Sequence, residues 1–153
     1  MAASGNAELD GFIAKYTPDL AAQTHAIFAR MRVRLPSATV LVYDNYNALA
    51  IGFAAGEKAG QAILSIAAYP CWVTLFFLQG VGLNDPHRLL EGTGNRVRSI
   101  RLAAPDTLDD LRIEALIAQA LEKADPPLPV DTAGEIIIKS VSANQRPRRP
   151  VGM

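Results

Sequence analysis

The chain has 153 residues, half of them hydrophobic, and its 15 basic and 15 acidic side chains leave no formal net charge. That length makes one domain with a real core, burying about 68–70% of the unfolded surface. Zero net charge excludes a whole-molecule field that draws the protein to nucleic acid or anionic lipid, and a single cysteine, Cys71, excludes an intramolecular disulfide or a thiolate metal cluster. The opening MAASGNAELDGF has neither the basic nor the apolar region of a secretory signal, so a cytoplasmic location is expected.

The spacing of Leu9, Phe12, Ile13 and Tyr16 predicts a short helix over Asn6–Lys15. Thr17-Pro18 ends it and starts the next one. Thr17 is placed to cap, Pro18 suits the first helical position, and Asp19 complements the positive end of the helix dipole. Leu20, Thr24, Ile27, Phe28, Met31 and Leu35 then recur at helical spacing down to Pro36, with Gln23, Arg30 and Arg34 on the side read as solvated. Beyond Pro36 the period becomes that of strands: Ala38–Tyr43, a polar turn Asp44-Asn45-Tyr46-Asn47, and Ala48–Ala54. In the last of these Leu49, Ile51 and Phe53 share one face, while Ala50 and Gly52 leave room on the other for a helix or a ligand.

Ala59–Asn84 carries no charged side chain, and its length suits a membrane helix of roughly 20 apolar residues. Pro70 argues against that. It divides the stretch into Ala62–Tyr69 and Trp72–Leu78, each of strand length and rich in β-branched or aromatic residues, so no membrane segment is expected. The two halves read as adjacent strands in the middle of a sheet, joined through Pro70 and Cys71, with Cys71 a small buried hydrophobe. Four strands linked by short turns argue for an antiparallel meander. Gly80–Asn95 breaks the sheet, and Arg96–Ala103 is a fifth, wetter strand. Thr107–Asp110 offers caps for a helix carrying Ile113, Leu116, Ile117, Ala120, Leu121 and Ala124. Pro126, Pro127 and Pro129 stop it; Glu135–Val141 is a last strand, and the basic Pro/Arg-rich tail of residues 144–153 follows the domain of residues 1–143. The expected fold is α+β: a largely antiparallel sheet of five to six strands with two N-terminal helices and one C-terminal helix packed on it.

The strings YDNYNAL at Tyr43–Leu49, YPCWVTLFFLQG at Tyr69–Gly80 and IKSVSANQRPRRP at Ile138–Pro150 resemble, in that order, the YdhG-like family of domains of unknown function. The resemblance extends from Leu9 to Pro150. It implies a small bacterial α+β protein of the element order above, and some relatives carry an iron-chaperone, frataxin-like label. Common members have a Gly-Met-Pro turn after the first strand's tyrosine, where this chain has Asp44-Asn45-Tyr46.

Tyr43, Asp44, Asn45 and Tyr46, with Trp72, are the densest group of polar and aromatic side chains beside the sheet, a composition that small-ligand sites use. The competing reading is a hairpin turn, for which Asp and Asn are chosen by backbone geometry. Arg146, Arg148 and Arg149, with Lys139 upstream, are candidate phosphate contacts, against the alternative of a solvated extension. Asp106, Asp109, Asp110 and Glu114 read as helix caps and dipole partners rather than metal ligands, and neither His25 nor His87 is paired with a second histidine. Gly92-Thr93-Gly94-Asn95 lacks the lysine and the helix of a phosphate loop. No catalytic residue, metal ligand or cofactor is assigned. The expected function is that of a non-enzymatic binding protein for a small ligand, a metal or a protein partner; a nucleic-acid-associated module acting through the tail is the alternative.

Overall fold

The period-two stretches pair into one six-stranded sheet of β1 (Thr39–Asp44), β2 (Leu49–Ala54), β3 (Ala62–Ala68), β4 (Val73–Phe77), β5 (Arg98–Leu102) and β6 (Ile136–Val141). The computed structural model describes the backbone of residues 2–150 and the side chains of residues 5–150. Short turns join β1 to β4 and the longer segment 78–97 leads to β5, all antiparallel in sequence order, while β6 follows a helix and lies parallel to β1 at the far edge. A parallel neighbour needs such a long crossover. The sheet is therefore mixed and mostly antiparallel, and with α1 (Ala2–Ile13), α2 (Pro18–Arg34) and α3 (Leu111–Lys123) the fold is α+β.

Strand alternation decides what each face does. Val40 and Val42, then Leu49, Ile51 and Phe53, then Leu64, Ile66 and Ala68, then Val73, Leu75 and Phe77, occupy matching registers on the face that packs against Leu9, Ile13, Ile27, Met31, Ile113 and Leu116 of the helices. The opposite face carries Ala50, Gly52, Ser65, Ala67 and Thr74, with Tyr43 and Phe76 among them. Among the described residues, the buried apolar side chains of the three helices pack on the first face. Gly5 lets α1 lie against β6, since a Cβ there would stand 2.5 Å from the Ile136 carbonyl oxygen.

Thr17 caps α2 through a hydrogen bond accepted from the Leu20 N–H, and Asp110 caps α3 by accepting from the Arg112 N–H. The side of α2 read as solvated stays partly exposed but also makes polar contacts. Arg30 pairs with Asp109 at 2.6 Å, Arg34 with Glu114 at 2.7 Å, and the Gln23 amide donates to the Leu102 carbonyl at 3.1 Å. Cys71 is exposed rather than buried, because the β3–β4 connection is a tight turn closed by the Tyr69 N–H on the Trp72 carbonyl at 2.8 Å, which turns the cysteine outward. Among the described residues no helix is long and apolar enough to cross a membrane.

The two phenylalanines of β4 separate the two faces. Phe77 is 1% exposed in the core, so Phe77→Ala is expected to cost about 3–5 kcal/mol in urea unfolding. Phe76, half-buried on the helix-free face, is expected to cost clearly less. Equal costs would mean that the two faces are equally covered.

Candidate functional site

At one end of the sheet the β1–β2 turn, the β3–β4 turn, the corner between α1 and α2, and the C-terminal tail meet. Strand parity aims Asp44, the last residue of β1, toward the helix side, where it is fully buried. A buried carboxylate demands compensating charge. Lys15 Nζ supplies it at 2.7 Å from Oδ2, and Arg148 Nη2 at 2.9 Å from Oδ1. Arg148 is itself only 5% exposed; it also donates to the carbonyls of Tyr46, at 3.3 Å, and of Asn45. Burial pushes the Asp44 carboxyl up, but the hydrogen bonds from Lys15 and Arg148 outweigh it and hold the group below its ordinary value.

Around this triad the chain is tied down at several points. Gln145 donates to the Asp44 carbonyl at 3.1 Å and accepts from Lys15 at 3.0 Å, while Arg149 Nε donates to the Lys15 carbonyl at 3.1 Å. The backbone N–H groups of Ser142 and Arg146 donate to the carbonyls of Asp44 and Tyr46, both at 2.8 Å. Residues 144–150, which composition alone presents as an extension, are thus folded back onto the domain; residues 151–153 lie outside the described residues. Tyr16 performs a related task next door. Leu49 and Ala68 face each other as the last rung between β2 and β3, and the Tyr16 hydroxyl sits in that rung, accepting from the Leu49 N–H at 3.2 Å and donating to the Ala68 carbonyl at 2.5 Å. Burial raises the Tyr16 hydroxyl pKa.

Beside this anchored tail lies a cleft of about 700 Å³ lined by Asn47, Tyr69, Trp72, Arg146, Arg149 and three prolines. Tyr69 and Trp72 stack with centroids 5.1 Å apart and planes inclined by 22°, and the Arg101 guanidinium lies 4.3 Å from the Trp72 centroid. Asn47 and Tyr69 also line a second hollow of about 520 Å³ on the helix-free face, floored by Ala50, Ser65, Ala67 and Phe76. A more closed hollow of about 390 Å³ between the ends of β3 and β4 and the end of α3 has two of its polar side chains already engaged: Lys123 Nζ binds the Gly82 carbonyl and the Gln61 side-chain oxygen accepts from the Lys58 N–H.

The sequence-predicted residues divide accordingly. Trp72, Arg146 and Arg149 line the cleft, and exposed Tyr46 lies near it with the Arg146 guanidinium 5.7 Å from its ring centroid. Exposed Asn45 lines the neighbouring hollow. Asp44 and Arg148 are consumed by each other and hold the turn and tail together. Tyr43 belongs to the helix-free face and lines neither hollow; its hydroxyl is buried with no partner among the described residues. Lys139 points to the other end of the sheet, its ammonium on the Glu57 carbonyl at 2.9 Å. Lys15, Tyr16, Tyr69, Arg101 and Gln145 were missed. Lys15 lies 29 residues from Asp44 and Arg148 lies 104, so no spacing rule connects them; Tyr69 alone was signalled, by its place two residues before Cys71 in the aromatic turn. Of the acidic cluster, Asp109 and Glu114 are spent on α2 and Asp110 on capping, with Asp110 held down to about 2 by hydrogen bonds from Arg112, while Asp106 is exposed. Among the described residues no three His, Cys, Asp or Glu side chains converge as a metal site would require.

Removing the central charge leaves Arg148 buried and uncompensated, so Asp44→Ala is expected to cost about 3–5 kcal/mol at neutral pH. The pH dependence has a definite sign. A carboxyl whose folded pKa is depressed stabilises fully above its ordinary value, about 3.8, and the stabilisation is lost as pH falls below that through the folded pKa. The stability gap between wild type and Asp44→Asn, measured by urea unfolding, is therefore expected to shrink as pH drops from 7 to about 2.5. A gap that stays constant over that range would rule out an ionised Asp44 as its source.

Compared with protein-family models, with curated proteins and with solved structures, the chain matches none.

Proposed function

We propose that the protein is a non-enzymatic binding protein whose small anionic ligand sits in the cleft between the stacked Tyr69–Trp72 pair and the anchored tail. The observation that carries this reading is the lining itself. It presents the side chains of Arg146 and Arg149 and no carboxylate, so an anion entering it meets two guanidinium groups without a repelling charge. The chain is neutral as a whole, which makes this local excess a property of the site. The titratable side chains of the lining are Arg146, Arg149 and Tyr69, without the carboxylate, imidazole, thiol or amine that most general bases and nucleophiles use, which favours binding over chemistry. Aromatic walls with a few convergent polar groups, in a hollow within the usual range of ligand sites, suit a small molecule.

The rival reading, a nucleic-acid module using the basic tail, keeps only part of its charge. Arg148 is spent on Asp44, and Lys139, on the Glu57 carbonyl, lies at the other end of the sheet, which leaves Arg146 and Arg149 of the tail to face solvent together. Two contacts make a weak anchor for a duplex backbone.

Trp72 is the only tryptophan, so its fluorescence reports on the cleft without labelling. Titration with small anions at low ionic strength is expected to give a saturable change that weakens with added salt and is lost in Arg146→Ala/Arg149→Ala. A tryptophan signal indifferent to every anion tried would refute the reading.

A further inference from the structure

We infer that the ligand of this site is a nucleobase carrying a phosphate, the phosphate held by Arg146 and Arg149 and the base lying across Tyr69 toward the helix-free face of the sheet. The inference rests on the anion-binding reading above and adds the second half of the ligand. The cleft does not end at Tyr69. It meets the neighbouring hollow there, because Tyr69 and Asn47 line both. The two compartments differ in chemistry: one bears the guanidinium groups, whereas the other has Ala50, Ala67 and Phe76 on its floor and no charged side chain. Ala50 and Ala67 are opposed across β2 and β3, so neither strand raises a side chain beyond Cβ at that point of the floor.

A ligand matching both compartments has a compact anion at one end and a flat, weakly polar ring at the other. Two guanidinium groups suit the several oxygens of a phosphate, which accept forked hydrogen bonds. The exposed carboxamide of Asn47 sits at the junction and offers a donor and an acceptor, the pair that a base edge requires. Aromatic stacking beside a basic wall is also how single strands are held. The same chemistry is therefore supplied by a free mononucleotide or by a nucleotide of a single strand, and the experiment has to separate the two.

Trp72 fluorescence of the full chain is followed during titration with adenosine monophosphate, adenosine, inorganic phosphate and a single-stranded oligoadenylate of eight nucleotides. The monophosphate is expected to bind roughly tenfold or more tighter than either adenosine or phosphate alone, within the range of one base–aromatic stack. Arg146→Ala/Arg149→Ala is expected to bring the monophosphate down to the affinity of adenosine while leaving adenosine unchanged. Tyr69→Leu should weaken monophosphate and adenosine together; because that ring also packs on Trp72, Asn47→Ala in the exposed turn gives an independent variant for the base half. An oligonucleotide that binds tighter than the monophosphate, with a steep salt dependence, assigns the site to a single strand; equal affinity assigns it to the free nucleotide. If phosphate binds as tightly as adenosine monophosphate, the base half is overturned and anion binding stands. If none of these ligands binds, the inference and the anion reading fall together.

Discussion

A carboxylate with no exposure at the end of a strand is costly, and the Asp44 carboxylate sits in that position with two cations drawn to it from opposite ends of the chain. Lys15 comes from the corner between the first two helices and Arg148 from the last described residues. Each would have its own reason to stay in water; together they neutralise Asp44 and leave one net positive charge. Low local dielectric strengthens the attraction while making any unpaired member expensive, so the three groups are held as a unit. The turn after β1, the helix corner and the tail are consequently one assembly, and the cleft beside them inherits fixed walls.

That assembly also explains how a neutral chain has a positive end. Asp109 and Glu114 are matched to Arg30 and Arg34 along α2, and Asp110 serves the start of α3, so three of the four acidic side chains there are engaged where they stand. At the hairpin end Asp44 faces two cations, and Arg146 and Arg149 meet no carboxylate in the lining of the cleft. Arg101 and Arg146 instead lie over Trp72 and Tyr46, so the cations there are spread over aromatic faces.

The sheet shapes the neighbouring hollow through its asymmetry. Large aliphatic side chains fill the helix side, and alanine, glycine and serine dominate the opposite registers of β2 and β3. Small residues keep that face low where it meets the hairpin end. Tyr16 keeps the last rung between those strands closed around its hydroxyl, so the floor of the hollow and the wall of the cleft are joined through a buried hydrogen-bonded side chain.

Local physics determines much of this protein before any tertiary contact forms. Pro70 forbids a continuous helix through the uncharged stretch, Thr17-Pro18 ends one helix and starts another, and the alternation of Leu49, Ile51 and Phe53 with Ala50 and Gly52 already assigns the faces of β2. These features depend on neighbours within a few residues, so they are legible in a sequence. The aromatic turn and the tail were visible as groups for the same reason. Their relation was not: Asp44 reads as a turn former and Arg148 as a solvated charge until the fold brings them to 2.9 Å across 104 positions, and Cys71 reads as buried until the turn points it outward. Which charges are spent on one another, and which remain to meet a ligand, is a property of long-range packing, because electrostatic pairing depends on distance in space and on exclusion of water rather than on separation along the chain.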